Sequence, residues 1–442
     1  MTDQAAIITQ ESNAAGERAM RRVRWRLVPF LCLLFIVNYL DRTNVAMAQL
    51  TMSTDVKLSA KTYGLGAGLF FIGYFLFEVP SNLLLQRLGA RRWIARILIT
   101  WGVCSAAMMF TRGPRSFGTL RFLLGFAEAG FFPGIVYYLT HWVPQQRRAK
   151  VLAMFLTSTA LSGVIGNPLA GWLMTFDGAA GLRGWQWLFL LEGLPPVLLG
   201  IAILAMGLLP DTPADAHWMP ADERDWIENE LRRDHADESV GHVAELRAAA
   251  SDARLWLLSA IYFCLVMGLY GFVYWVPSIV KSLTQSSNAR VGVASAAPYL
   301  IGAVAMVFIA GSADRMGARR GYVAVCAALG AGGLAALCVS LTYSHSVVFG
   351  MAALCVAAIG IFGSLGPFWA IPTRYLRHTA AAGGIAIINS TGALAGFCAP
   401  FAIGWAKTAT GSFAAGLLVV AASLAAGAIL VIYIPPAIDA RR

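Results

Sequence analysis

The sequence predicts an all-α, polytopic membrane protein whose twelve spans form two pseudo-symmetric six-helix bundles. Three observations carry that prediction. Of its 442 residues, 58% are hydrophobic and only 13% charged, whereas soluble domains carry about a quarter charged residues. Apolar runs of roughly 20 residues, enough to cross a hydrocarbon core, recur along the chain. A short basic motif also occurs twice, as QRLGARRW at 86–93 and DRMGARRG at 314–321, its central glycines 228 residues apart.

The spans are expected to begin near Leu27, Tyr63, Trp93, Gly118, Val151 and Trp187, then near Trp256, Val293, Tyr322, Ser346, Gly383 and Phe413. Six spans separate the two copies of the motif, so the halves repeat. The chain divides into a cytoplasmic tail (1–26), a first bundle (27–209), a central loop (210–254), a second bundle (255–434) and a cytoplasmic tail (435–442). A cleaved leader is not expected: the first apolar run follows some 25 polar residues, is too long and lacks a small-residue cleavage site.

The net charge of +11 is a topology signal. With the N-terminus inside, nineteen Lys and Arg residues fall in short cytoplasmic segments and eight in outer loops. The bias places both termini in the cytoplasm and argues against a nucleic-acid partner. Arg374 and Arg377 belong to the inner set. All seven cysteines fall within expected spans, without metal-ligand or CxxC spacing, and read as small apolar packing residues.

The central loop holds twelve of the 23 acidic residues, between Asp211 and Asp252. Within it, ADERDWIENELRR follows Pro220 with acids in its first turn and arginines at its end, the pattern of a short amphipathic surface helix. A solvated cytoplasmic linker is expected there.

Parallel halves of this kind are a transporter architecture, with the substrate site between them near mid-bilayer. The stretch GSADRMGARR resembles the loop signature of the major facilitator superfamily, through Gly311, Asp314, Arg315, Gly317 and Arg320. The first copy departs from it at Leu83 and Gln86. The resemblance implies the major facilitator fold. The two clusters, Arg87 and Arg91 with Asp314 and Arg315, are candidates for gating: they can cap helix ends and pair with acids when the inner side closes.

Ionisable residues inside a membrane are costly, about 3 kcal/mol each even on lenient scales, and need partners or a wet cavity. Here they are Asp41 and Arg42 in NYLDRTNV of the first span, Arg121 and Glu128 in the fourth, and Glu78 and Glu192. Counting 1.5 Å per residue from each membrane face sets Asp41 and Arg42 at a depth between Arg121 and Glu128. Those two are seven residues apart and share a helix face. A four-member network of two acids and two arginines is therefore possible. It could be a set of ion pairs locking helices together. Alternatively, an arginine binds an anionic substrate while the carboxylates carry protons. Burial favours a protonated carboxyl and a nearby arginine the ionised one, so an anion drawn onto the arginine would couple substrate to proton. The six histidines lie in loops or at helix ends.

NYLDRTNVAMA, GYFLFEVPSN and RFLLGFAEAGFFPG, with the paired halves, make the chain similar to the anion:cation symporter family of that superfamily, from Val23 to Ile434. YGLGAGLFFIGYFLFEVPSNL and GFCAPFAIGW resemble its hydroxyphenylacetate and tartrate permease branch. The resemblance implies a proton-coupled importer of a small organic anion in a bacterial inner membrane, a monomer with no cofactor beyond the coupling protons. It implies that Arg42 holds the substrate carboxylate and that Asp41 and Glu128 are the protonatable pair. Arg121 would tune Glu128, and Tyr39, Tyr74, Trp369 and Asn389 would line the pocket. Packing or interhelical hydrogen bonding are the alternatives for those four. Members that bind polyhydroxylated acids carry glutamines where Thr159 and Leu269 stand here. A border of Leu269, Tyr270, Tyr274 and Trp369 offers few partners to many hydroxyls, which favours an aromatic or short carboxylate over a sugar acid such as a hexonate.

A drug/proton antiporter of the same superfamily is the main alternative. Its exporters show Gly-x-x-x-Gly-Pro-x-x-Gly-Gly in the fifth span, and GVIGNPLAGW breaks that pattern at Asn167 and Trp172. An enzyme is not expected, since the sequence holds no nucleophile–base pair, metal cluster or phosphate-cradling loop. GLGAG at 64–68 is a helix-packing set.

Overall fold

The computed structural model describes residues 2–236, 251–372 and 379–435. Arg374, Arg377 and the tail from 436 lie outside these segments, as does the side chain of Thr159.

Among the described residues every regular element is a helix. The first half comprises α1 (Thr2–Asp55), α2 (Ala60–Leu88), α3 (Ala90–Ala107), α4 (Pro114–Glu128), α5 (Phe131–Thr140), α6 (Gln145–Leu173) and α7 (Gly184–Met206). The connecting helix α8 (Ala221–Ala236) leads to α9 (Ala253–Thr284), α10 (Asn288–Met316), α11 (Arg319–Val339), α12 (Val347–Trp369), α13 (Thr379–Thr410) and α14 (Ala414–Leu430). Eleven helical stretches are long and apolar enough to cross a membrane, with α4 and α5 forming one of them. The 29-residue α6 supplies the fifth expected span. No disulfide joins any of the seven cysteines.

Three features depart from the sequence reading. First, the tail before Leu27 is helical and continuous with the first span. Second, α8 forms where expected, with Asp222 and Glu223 in its first turn, but it is docked. Its Ile227 and Leu231 are buried with Ala15, Ala19, Met20 and Val23 of α1. Arg18 donates to Asp222 at 2.9 Å and Arg22 pairs with Glu223 at 2.8 Å. An amphipathic stripe buries itself where an apolar partner exists, and the extended α1 supplies one. Third, the fourth span breaks after Glu128. Gly130 adopts φ +86°, open to glycine without strain, and Pro133 lacks the N–H that would bond to the Ala129 carbonyl.

The repeated motif folds the same way twice. Gly89 and Gly317, at φ +86° and +68°, end α2 and α10 and let α3 and α11 start at once. Arg91 binds within the first half. Its backbone N–H donates to Asp211 at 2.8 Å, and its guanidinium donates to the carbonyls of Ile203 and Leu204 at the end of α7. In the second copy Arg319 donates to Asp314 at 2.6 Å. Arg87 lies exposed in the last turn of α2. The face carrying these arginines is called the basic face below.

The two bundles interlock on the opposite, far face. The α2 backbone lies against α13 so closely that a Cβ at Gly64 would strike the Pro400 carbonyl and one at Gly68 the Phe397 backbone. Gly171 of α6 abuts Asn288 and Gly292 of α10. Ser278 donates to Gln49 at 2.8 Å, and the Lys61 N–H to Thr408 at 2.8 Å. Because the three atoms nearest a Cβ at Gly64 all belong to the other bundle, Gly64→Val is expected to pry the far face open without unfolding either half. A cysteine placed at Gln49 should then be labelled by a membrane-impermeant maleimide at least threefold faster. Unchanged labelling would show that this contact does not hold the face shut.

Candidate functional site

Arg42 stands on α1 where the bundles meet. Its Nε and Nη2 both donate to Glu128 Oε1, the Nε bond measuring 3.1 Å. Its Nη1 donates to the Tyr270 hydroxyl of α9 at 3.4 Å. The guanidinium also lies over the rings of Phe70 and Tyr74, 5.3 and 5.4 Å from their centroids. Glu128 is the last residue of α4, where the helix already presents partial negative charge. Arg42 therefore neutralises both a carboxylate and a helix end. The second Glu128 oxygen, Oε2, is buried without a hydrogen-bond partner.

Arg121, two turns earlier on α4, is fully buried. It too lies over the Phe70 ring, 4.8 Å from the centroid, and donates to the Tyr274 hydroxyl at 3.2 Å. Its Nε and Nη1 have no partner. Phe70 is thus within cation–π distance of both guanidiniums. Tyr63 donates to the Tyr274 carbonyl and meets Trp275 edge-on at 5.1 Å. Tyr63, Phe70, Phe117, Tyr274 and Trp275 are all wholly buried and form a dry layer on the far side of Arg42. The Arg42 side chain itself is 15% exposed.

Asp41 does not join this set. It faces back into the first bundle, where Trp101 Nε1 donates to it at 2.6 Å, Ser105 Oγ at 2.7 Å and Asn44 Nδ2 at 3.3 Å. The four-member network expected from depth is split, because adjacent residues on a helix point about 100° apart. Glu192 of α7 lies behind the same cluster, buried, with neither oxygen hydrogen-bonded. Ser105→Ala removes one donor to a buried carboxyl and is expected to destabilise by about 1–3 kcal/mol. A lower melting temperature with substrate affinity within threefold of wild type would bear this out. A large affinity loss at unchanged melting would place Asp41 in the cleft's chemistry instead.

Toward the basic face, α2, α9, α12 and α13 pack together and carry the next layer of side chains. Phe71 and Tyr270 lie 4.4 Å apart, and Tyr262 meets Trp369 at 4.9 Å. Asn389 Nδ2 donates to Glu78 Oε1 at 3.4 Å. Tyr39 is buried one turn before Arg42, its hydroxyl unpartnered. The structure thus brings Arg42, Glu128, Tyr39 and Tyr74 together, with Arg121 behind Phe70 and with Trp369 and Asn389 one layer nearer the basic face. Sequence reasoning missed Tyr262 and Phe70, and it left Glu78 without a role. The Phe70–Tyr74–Glu78 spacing of four residues marks one helix face and could have linked them.

A family model described as Major Facilitator Superfamily matches residues 31–400. A protein of Agrobacterium vitis named as a candidate tartrate transporter is 43% identical over 434 residues, covering 97% of this chain and 95% of its own. A protein of Acinetobacter baumannii named as a quinolone resistance transporter is 44% identical over 411 residues, covering 93% of each. Among solved structures, a bacterial homologue of the human lysosomal transporter Spinster, inward-facing and unoccupied, superposes with a TM-score of 0.73. That likeness covers 92% of this chain and 95% of that one at 15% identity, and is one of fold.

Proposed function

The chain belongs to the Major Facilitator Superfamily, and from that premise we propose that it imports a small organic anion together with protons by alternating access. The observation that carries this reading is the Arg42–Glu128 pair, at mid-depth where the bundles meet, with Glu128 buried and Arg42 15% exposed. A substrate carboxylate and Glu128 compete for the same guanidinium. When the anion takes Arg42, Glu128 is freed to hold a proton. When Glu128 loses that proton it recaptures Arg42 and displaces the anion. With the basic face assigned to the cytoplasm by the positive-inside bias, the intact pair corresponds in this cycle to the state after release. Asp41 is the second protonatable group, acting from behind α1. Arg121 sets the field around Glu128 through Phe70. Arg87, Arg91, Asp314 and Arg315 act at the inner gate.

The substrate class follows from the aromatic walls and from the relative named for tartrate: a short or aromatic carboxylate, in a bacterial inner membrane, carried by a monomer with both termini inside. The relative named for quinolone resistance favours a second reading, proton-driven export. Uptake of candidate acids into proteoliposomes, with and without an inward proton gradient, separates the two. Import predicts accumulation against the substrate gradient, at least fivefold above the gradient-free control. Accumulation indifferent to the gradient would defeat symport, and substrate driven out of the lumen as protons enter would establish export.

A further inference from the structure

Glu78 takes no part in the cycle above. It stands on α2 one turn past Tyr74 toward the basic face, half-buried, and Asn389 is its one hydrogen-bond partner among the described residues. Arg42, Tyr74 and Tyr262 all lie within its electrostatic reach. It therefore borders the same cleft as the Arg42–Glu128 pair.

The chemistry of this end is opposite to that of Arg42. A carboxylate only accepts, so the Asn389 amide must turn its NH2 toward Glu78. That leaves Asn389 Oδ1 and the remaining Glu78 oxygen as acceptors beside a single spare Asn389 N–H, so acceptors and negative charge dominate this end. Such a pole suits an ammonium group and repels a second carboxylate. Tyr74 lies under Arg42, the Tyr270 hydroxyl accepts from it, and Tyr262, packed against Trp369, lies near Glu78. The Tyr74 ring lies under Arg42, and Glu78 follows one turn later, so the ends are on the order of 6–10 Å apart. A single aromatic ring with short arms spans that distance.

We infer that Glu78 and Asn389 form a second recognition pole, and that the cleft selects zwitterionic aromatic acids, with the carboxylate on Arg42 and the ammonium against Glu78. The inference rests on Arg42 holding a carboxylate and narrows the organic anion to one that also carries an amine.

Competition against a radiolabelled wild-type substrate in proteoliposomes tests it with three matched probes: phenylacetate, its para-aminomethyl derivative and its para-carboxy derivative. In the wild type the aminomethyl acid should compete at least tenfold better than phenylacetate, and the dicarboxylate at least threefold worse. Glu78→Gln should remove the aminomethyl advantage and relieve the dicarboxylate penalty, while phenylacetate shifts less than threefold. Glu78→Asp keeps the charge and should keep the ranking, which guards against a misfolded Gln variant. A wild type that prefers the dicarboxylate, or a ranking unchanged in folded Glu78→Gln, overturns the inference and leaves the carboxylate reading standing. If Arg42→Ala leaves all three probes competing as before, the carboxylate reading falls and the inference falls with it.

Discussion

Arg42→Ala is expected to weaken substrate binding by about a hundredfold and to abolish accumulation. The guanidinium is the cationic group at the wet side of the central contact, 15% exposed, while Arg121 is sealed behind Phe70 and Tyr274. A hydrogen bond to a charged group contributes about 1.5–3 kcal/mol, and two parallel ones to a carboxylate add geometric selection. Losing about 3 kcal/mol corresponds to roughly two decades in affinity. The variant also strands Glu128, and an unpaired buried charge destabilises by about 3–5 kcal/mol. A fall in transport alone would therefore be ambiguous. The double variant Arg42→Ala/Glu128→Gln removes the stranded charge and should recover most of the melting temperature without recovering binding. Arg42→Lys keeps the charge but not the planar fork, and should lie between. If the double variant binds substrate as the wild type does, Arg42 is a structural ion-pair partner and the site lies elsewhere.

How far this could be read from the sequence depended on which physical signal each feature leaves. Span number and the two-bundle division follow from long apolar runs and a repeated motif, and both glycines of that motif end helices as their spacing implies. Depth was also legible: a rise of 1.5 Å per residue was enough to set Arg42 level with the α4 charges. Azimuth was not. Asp41 and Arg42 are neighbours in sequence, yet one turns to Trp101 and Ser105 and the other to Glu128. Helix rotation is fixed by packing partners that no local pattern specifies. The same limit hid the docking of α8, since an amphipathic stripe reads alike whether it meets solvent or an unannounced helix. The break after Glu128 was written in AGFFPG, but apolar runs this strong mask a single Gly–Pro signal.

Glu128→Gln is expected to separate binding from driving force. Glutamine keeps the shape of the side chain and a carbonyl acceptor for Arg42, so the contact at the end of α4 survives without its negative charge. It can neither take nor release a proton under these conditions. Substrate exchange across liposomes preloaded with unlabelled acid should persist at about a third of the wild-type rate or better, whereas gradient-driven accumulation should fall at least tenfold, to simple equilibration. The anion loses its competitor for Arg42, so apparent affinity should tighten, by roughly threefold or more if the displaced contact is a charge-assisted one. The pH dependence follows in sign. A proton is loaded with the substrate, so wild-type uptake should decline as the outside pH rises, and exchange by the variant should be flat over the same range. Persistent accumulation by Glu128→Gln would remove Glu128 from the coupling path and leave Asp41 as the group to test. Loss of exchange as well, in a variant that melts like wild type, would mean that Arg42 requires a charged partner to hold its orientation. The competition between Glu128 and the anion would then be a matter of positioning and not of proton transfer.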